Sequence, residues 1–222
     1  MKKILLTLCL VLATSVANAR VEYYASVKMG LGDTTIYVND DDKLGDFLAG
    51  PGHRYDGSGL TWELSPALGL DWSLDNMYVK HNPYGWFHLR LEGEVGYNHY
   101  HEDGKIKDDS YTVTDKIKVK MDQFFLLANG YADFRINKVV PYVGLGLGYS
   151  FGKQEIVVSN AGGEYSDFVD DNGIIYALHL GVAYKYSEIT TVDFGYRRVY
   201  APTEDDGLNI FGTLRLGARF RI

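Results

Sequence analysis

Charged side chains recur at two-residue spacing along this chain, and the spacing decides what they can do. Arg90, Glu92 and Glu94 share one parity of a single segment. Lys28, Glu63, Asp133, Lys185, Asp193, Arg197, Arg215 and Arg219 sit at matching positions in six other segments. Successive side chains of an extended strand point to opposite faces, so each set shares a face. Groups of both signs on one enclosed face form charge-assisted hydrogen bonds. Buried charges are tolerated only when so paired. The same eleven residues would line an ion-conducting path if water entered between them.

Two further groups could do chemistry. Acidic runs at Asp40, Asp41 and Asp42, at Asp170 and Asp171, and at Asp205 and Asp206 offer hard oxygen ligands for Ca²⁺ or Mg²⁺. Asp46, Glu102, Asp103, Asp108, Asp109, Glu164, Asp167 and Glu204 belong to the same acidic stretches. No twelve-residue calcium-loop spacing is present, so solvated loop charge is the plainer account. His99 and His101 lie near Asp103 and Ser110, the residue types of a base, an orienting acid and a nucleophile. That chemistry requires hydrogen-bond reach between base and nucleophile, which spacing does not supply. His53, His81, His88 and His179 complete the six histidines.

The segments that carry these residues read as strands. The cleanest covers residues 174–186. Ile174, Tyr176, Leu178, Leu180, Val182, Tyr184 and Tyr186 alternate there with Ile175, Ala177, His179, Gly181, Ala183 and Lys185. Residues 142–151 set Val143, Leu145, Leu147, Tyr149 and Phe151 against Gly144, Gly146, Gly148 and Ser150. Residues 210–222 set Ile210, Leu214, Leu216, Ala218, Phe220 and Ile222 against Thr213, Arg215, Gly217, Arg219 and Arg221. Segments 23–31, 60–72, 87–99, 124–134 and 191–198 follow the same rule, which makes eight strands. Pro66 cannot donate to a ladder and predicts a bulge or break. Phe125 and Leu127 fall on the polar parity of their segment and leave its register open.

The connections at 32–59, 101–118 and 152–172 are long and 201–207 is intermediate in length; between them come 73–84, shorter than those three, and the short 135–140 and 187–190. Up-and-down strands therefore place the three longest loops at one end. Long loops at one end, an apolar face on every strand and aromatics near strand ends are the marks of a transmembrane barrel. Those aromatics include Tyr23, Trp62, Trp72, Trp86, Tyr149, Phe151 and Tyr184. The predicted fold is all-β: one eight-stranded antiparallel up-and-down transmembrane β-barrel over residues 20–222. Its lumen is narrow enough to be filled by side chains.

Residues 1–19 read as a signal peptide. Lys2 and Lys3 precede an apolar stretch too short to span a bilayer, and Val16-Ala17-Asn18-Ala19 supplies a cleavage site. Cys9, the only cysteine, lies within that stretch after Leu8, which does not match a lipidation site. Cleavage leaves 203 residues (222 less 19) without a thiol and takes the net charge from −7 to −9. An acidic chain argues against nucleic-acid binding.

Residues 126–134 (LLANGYADF), 141–151 (PYVGLGLGYSF), 192–197 (VDFGYR) and 214–222 (LRLGARFRI) resemble the OmpA-like/Opa-like outer-membrane β-barrel family, the opacity-protein type of surface antigen. The resemblance implies residence in the bacterial outer membrane, contact with its lipid and lipopolysaccharide, and delivery to the barrel assembly machinery by the C-terminal strand. That strand departs from the usual terminal aromatic: Ile222 ends it and Phe220 is the nearest ring. The expected role is structural or adhesive, with external loops contacting a host or surface ligand and no cofactor. A narrow porin-like channel is the alternative. A lipid-modifying enzyme is the third reading.

Overall fold

The computed structural model describes residues 20–38, 42–43, 53–73, 87–108, 113–160, 162–202 and 208–222. Eight long strands alternate up and down: β1 (Arg20–Val38), β2 (His53–Ser73), β3 (Phe87–Asp108), β4 (Val113–Phe134), β5 (Val139–Asn160), β6 (Gly163–Lys185), β7 (Thr190–Pro202) and β8 (Leu208–Arg221). A two-residue strand, Asp42–Lys43, folds back on the end of β1. Each long strand pairs antiparallel with its sequence neighbour, and β1 pairs with β8 from Tyr24↔Arg221 to Tyr37↔Leu208. The ring is closed, so in its membrane-spanning part every strand has two partners. That is the condition for strands to exist in hydrocarbon.

The parity read from the sequence holds in three dimensions. Met29, Leu68, Leu145, Leu180 and Phe194 point outward and are exposed, Leu145 at 67%. Lys28, Glu63, Arg90, Glu94 and Arg215 point inward and are buried. Outward apolar residues run from Phe124 to Phe134 on β4, from Val143 to Phe151 on β5 and from Ile174 to Tyr184 on β6. Nine to eleven residues per strand is the length that crosses a bilayer. Leu145 lies near the middle of this band. Leu145→Arg should therefore cost about 2–4 kcal/mol in a vesicle refolding titration, while the same change at Phe151, near the rim, should cost about 0–1 kcal/mol.

The strands are longer than the hydrophobic alternation alone indicated. Residues 101–118, read as a loop, form paired strand on both sides of 109–112, with Asp103↔Lys118 and Lys105↔Lys116 in register. Residues 152–172, also read as a loop, continue β5 and β6 to a tight turn, with Asn160 opposite Gly163. Gly163 there has φ +138, open only to glycine. Both stretches carry, Phe168 excepted, mainly charged and small side chains on the outward face, where water replaces lipid, so the apolar half of the pattern is lost. Strands β3 to β6 consequently stand some ten residues beyond the apolar band. At the opposite end the two described turns are tight. Asn137 takes φ 58 between β4 and β5, and the Ser187 hydroxyl accepts from the Thr190 N–H at 3.0 Å between β6 and β7.

Pro66 breaks the β2–β3 ladder without a bulge. Pairing stops at Leu64↔Tyr97 and resumes at Ala67↔Glu94 in unchanged register. The β4 register is also settled: Phe125 and Leu127 are buried inside the barrel.

Candidate functional site

The lumen has two layers. The half toward the short turns and the barrel centre is ionic. Asp193 accepts from Arg219 at 2.8 Å, and Arg219 reaches Asp133 at 3.5 Å. Asp133 holds Arg90 at 3.1 Å, and Arg90 reaches Glu92 at 3.6 Å. Lys28 pairs with Glu92 and with Glu94, the latter at 3.2 Å. Glu94 binds Arg197 at 2.9 Å and Arg215 at 2.6 Å, and both arginines also pair with Glu63. Ten side chains, five of each sign, form one continuous network drawn from six strands. Charge balance and multiple contacts per group meet the conditions under which buried ions persist.

Neutral donors complete this network. Tyr24 donates to Glu92 at 2.9 Å, Asn129 to Glu94 at 3.0 Å and Thr213 to Glu63 at 3.1 Å. His179 Nε2 meets Asn129 at 3.1 Å. The Arg90 guanidinium lies 3.8 Å from the Tyr131 ring centroid, in cation–π contact. Gly144 and Gly146 on β5 make room for these β4 side chains: a Cβ would lie 2.3 Å from the Tyr131 ring and 2.3 Å from Asn129 respectively. The sequence reading missed Tyr24, Asn129, Tyr131, His179 and Thr213, although each sits at the inward parity. Lys185, grouped there with the lumen charges, is half-buried at the mouth beside Glu188, Arg219 and Arg221. Its strand ends at that level, so it stands outside the ten-membered cluster.

The half toward the extended end carries an apolar cluster and uncharged polar side chains, which corrects the expectation of a lumen filled by charged side chains. Tyr100, Ile106, Ile117, Val119, Met121, Phe125, Leu127, Ile175, Val199 and Phe211 form one buried cluster. Phe125 lies near its boundary with the ionic layer, 4.6 Å from the Arg197 guanidinium. Buried Thr34, Thr61, Asn98, Gln123, Gln154 and Asn209 lie at the same levels, so the plug is an ionic layer under a layer of apolar and uncharged polar side chains.

On the outer wall an aromatic belt closes the apolar band. Trp62 and Tyr97 lie 5.3 Å apart, Tyr97 and Phe124 5.0 Å, and Tyr149 and Phe151 4.8 Å. Just beyond it, Asp122 accepts from Tyr97 and meets His99 Nδ1 at 2.8 Å. Those bonds, Tyr97 first, hold the Asp122 carboxyl below the usual carboxylate range. A base and its orienting acid are thus present at His99, with Asp122 in the acid's role. His101 meets Asp103 instead, at 3.1 Å. Among the described residues no Ser, Thr or Cys bonds His99, and Ser110 lies outside them. Of the metal candidates, Asp40, Asp41, Asp205 and Asp206 also lie outside the described residues, as do the side chains of Asp42 and Asp171. Asp170 is exposed on the β6 extension, opposite Lys153. Among the described residues no three His, Cys, Asp or Glu side chains form a cluster able to hold a metal.

A closed eight-stranded ring with an apolar outer band, an aromatic belt and a side-chain-filled lumen defines an outer-membrane β-barrel. The chain matches the outer membrane protein β-barrel domain family over residues 4–221 and belongs to it. Its place is the bacterial outer membrane. No curated protein matches. Among solved structures it is similar to Neisserial surface protein A, with 17% identity, a TM-score of 0.44, and 91% of this chain and 99% of that chain covered. The attachment invasion locus protein Ail of Yersinia pestis is also 17% identical, with a TM-score of 0.40 and coverage of 90% and 99%. The N-terminal β-barrel domain of OprF from Pseudomonas aeruginosa is 14% identical, with a TM-score of 0.39 and coverage of 91% and 100%.

Proposed function

We propose that this barrel is a surface protein of the opacity type with a structural and adhesive role, and that its working part is the sheet standing beyond the membrane. Residues 1–19 serve in this reading as the signal peptide, removed after Ala19. The single observation that carries the proposal is the β5–β6 hairpin. Tyr165, Phe168 and Val169 are exposed there beyond the apolar band, Tyr165 at 67%, interleaved with Glu164, Asp167 and Asp170. Exposed aromatics away from lipid mark contact surfaces, because rings bury large area on binding. The β6 edge supports the same reading. Strand β7 pairs with β6 only from Tyr176 onward, so among the described residues 163–174 have one strand neighbour. A free edge accepts an added strand from a partner.

Cells expressing the protein should adhere to a host-cell or matrix ligand array, and the Tyr165→Ser/Phe168→Ser variant should lose most of that adherence. Boiled and unheated samples of the variant should still differ in gel mobility, as intact barrels do. Undiminished adherence by a correctly inserted variant would sink the adhesive role. In planar bilayers the wild type should give no stepwise conductance, since the lumen carries an ionic and an apolar layer. Regular open-channel steps would instead support the channel reading. Lipid A from expressing cells should show an unaltered mass, and a new acyl or deacylated species would favour a lipid-modifying enzyme.

A further inference from the structure

The open edge of β6 shows in its own chemistry what it accepts. Residues 163–174 pair with β5 in unbroken register, and they lose a neighbour on the other side because β7 ends at Pro202. Edges are commonly blunted by a bulge, a proline or a lysine. This stretch contains none of the three. The Phe168 N–H donates at 2.9 Å to the exposed Asp167 carboxylate beside it. Backbone groups of successive strand residues turn to opposite sides, so Glu164, Ser166, Phe168 and Asp170 present theirs to the open side and the odd-numbered residues bond β5. The backbone on that side is thus ready to pair with a further strand.

Side chains identify the partner. Residues 163–174 hold four carboxylates and no Lys or Arg. On the β5 side of the hairpin, Lys153 opposite Asp170 and Glu155 opposite Phe168 cancel, so the negative charge of the edge stands uncompensated. Glu164 and Asp170 share the outward parity. Tyr165 and Val169 share the inward parity with Ile156 and Val158 of β5, which pack against the buried apolar cluster. We propose that this edge takes up an extended basic peptide of a partner protein as an added strand. Its Lys or Arg residues lie on the outward side against Glu164 and Asp170, and its alternate apolar residues lie inward beside Tyr165 and Val169. The inference rests on the reading of this hairpin as the contact surface and names the chemistry of what it contacts. Charge disfavours two other occupants. A second copy presenting the same edge would set four carboxylates against four, and an anionic glycan meets the same repulsion.

The experiment titrates the full-length barrel, in a zwitterionic detergent, into a fluorescent peptide of alternating Lys and Val and reads anisotropy. A Glu/Val peptide and a Lys/Val peptide N-methylated at every amide, which cannot join a sheet, serve as controls. Wild type should bind the Lys/Val peptide at least about tenfold more tightly than either control, and added salt should weaken the binding. The Glu164→Gln/Asp170→Asn variant should lose the preference for Lys over Glu. Ser166→Pro should lose binding altogether, since it removes a donor from the open side and none from the β5 ladder. Heat-dependent gel mobility checks that each variant is folded. Equal binding of the Lys/Val and Glu/Val peptides, or undiminished binding of the N-methylated one, overturns the proposal. A wild-type dimer that Ser166→Pro abolishes also overturns it and assigns the edge to a second copy. If Tyr165→Ser/Phe168→Ser abolishes adherence while wild type ignores the Lys/Val peptide, the adhesive role stands and the basic partner falls.

Discussion

Glu94→Gln is expected to destabilise the folded barrel by about 3–5 kcal/mol, the cost of breaking a buried ionic arrangement from one side. Glu94 receives Asn129 and three cations, Lys28, Arg197 and Arg215, more cations than any other lumen acid. Losing its charge leaves five cations facing four carboxylates, with little water to relieve them. Urea-titrated refolding into phospholipid vesicles, followed by heat-dependent gel mobility, measures the loss. Adding Arg197→Met to the Gln variant restores the balance and should recover part of it. A loss below about 1 kcal/mol for Glu94→Gln would mean that the lumen charges are well solvated. Such a result would bring the conducting reading back into consideration.

Phe125→Ala should cost a similar amount, about 3–5 kcal/mol, by a different mechanism. Its ring fills the space above Gly96, where a Cβ would sit 2.0 Å from the ring edge, and its upper side packs into the apolar layer. Truncation opens a cavity between the two layers of the plug. Gly96→Ala alone should also destabilise, because the new methyl collides with the ring. The double variant should be more stable than the sum of the singles, since the methyl then occupies vacated volume. Strict additivity in the same refolding titration would show that the ring and the glycine do not meet.

Much of this was legible from residue spacing. Period two separates the inward and outward sets, and it groups the ten lumen charges together with Lys185, which stands at the mouth instead. The layering was not legible. Phe125 and Leu127 sit at the same parity as Asn129 and Asp133, so only height along the strand separates the apolar layer from the ionic one. Parity carries no height. The strand extensions were hidden for a related reason. Ile106, Ile117, Val119 and Met121 alternate with lysines at 105, 107, 116, 118 and 120, but a strand with water outside and an apolar plug inside reverses the pattern expected of a membrane strand. Apolar in and charged out reads as a loop when apolar out is the template. The orienting partner of His99 also escaped notice. Asp122 is 23 residues away and is brought there only by the β3–β4 register.

The ionic plug also bears on how the ring comes to be closed. Arg215 meets Ser65 across 150 residues of sequence and Glu94 across 121, and Arg197 meets Glu63 across 134. These contacts have high contact order, and none can form while the first and last strands are apart. Before closure each of these charges must stay hydrated, which keeps the unassembled chain compatible with water. After closure the same groups pair across the bore and oppose reopening of the β1–β8 seam. The seam is thereby coupled to the interior, and parting it would require desolvated charges from six strands to separate together. Assembly is easy to delay and, once complete, hard to reverse.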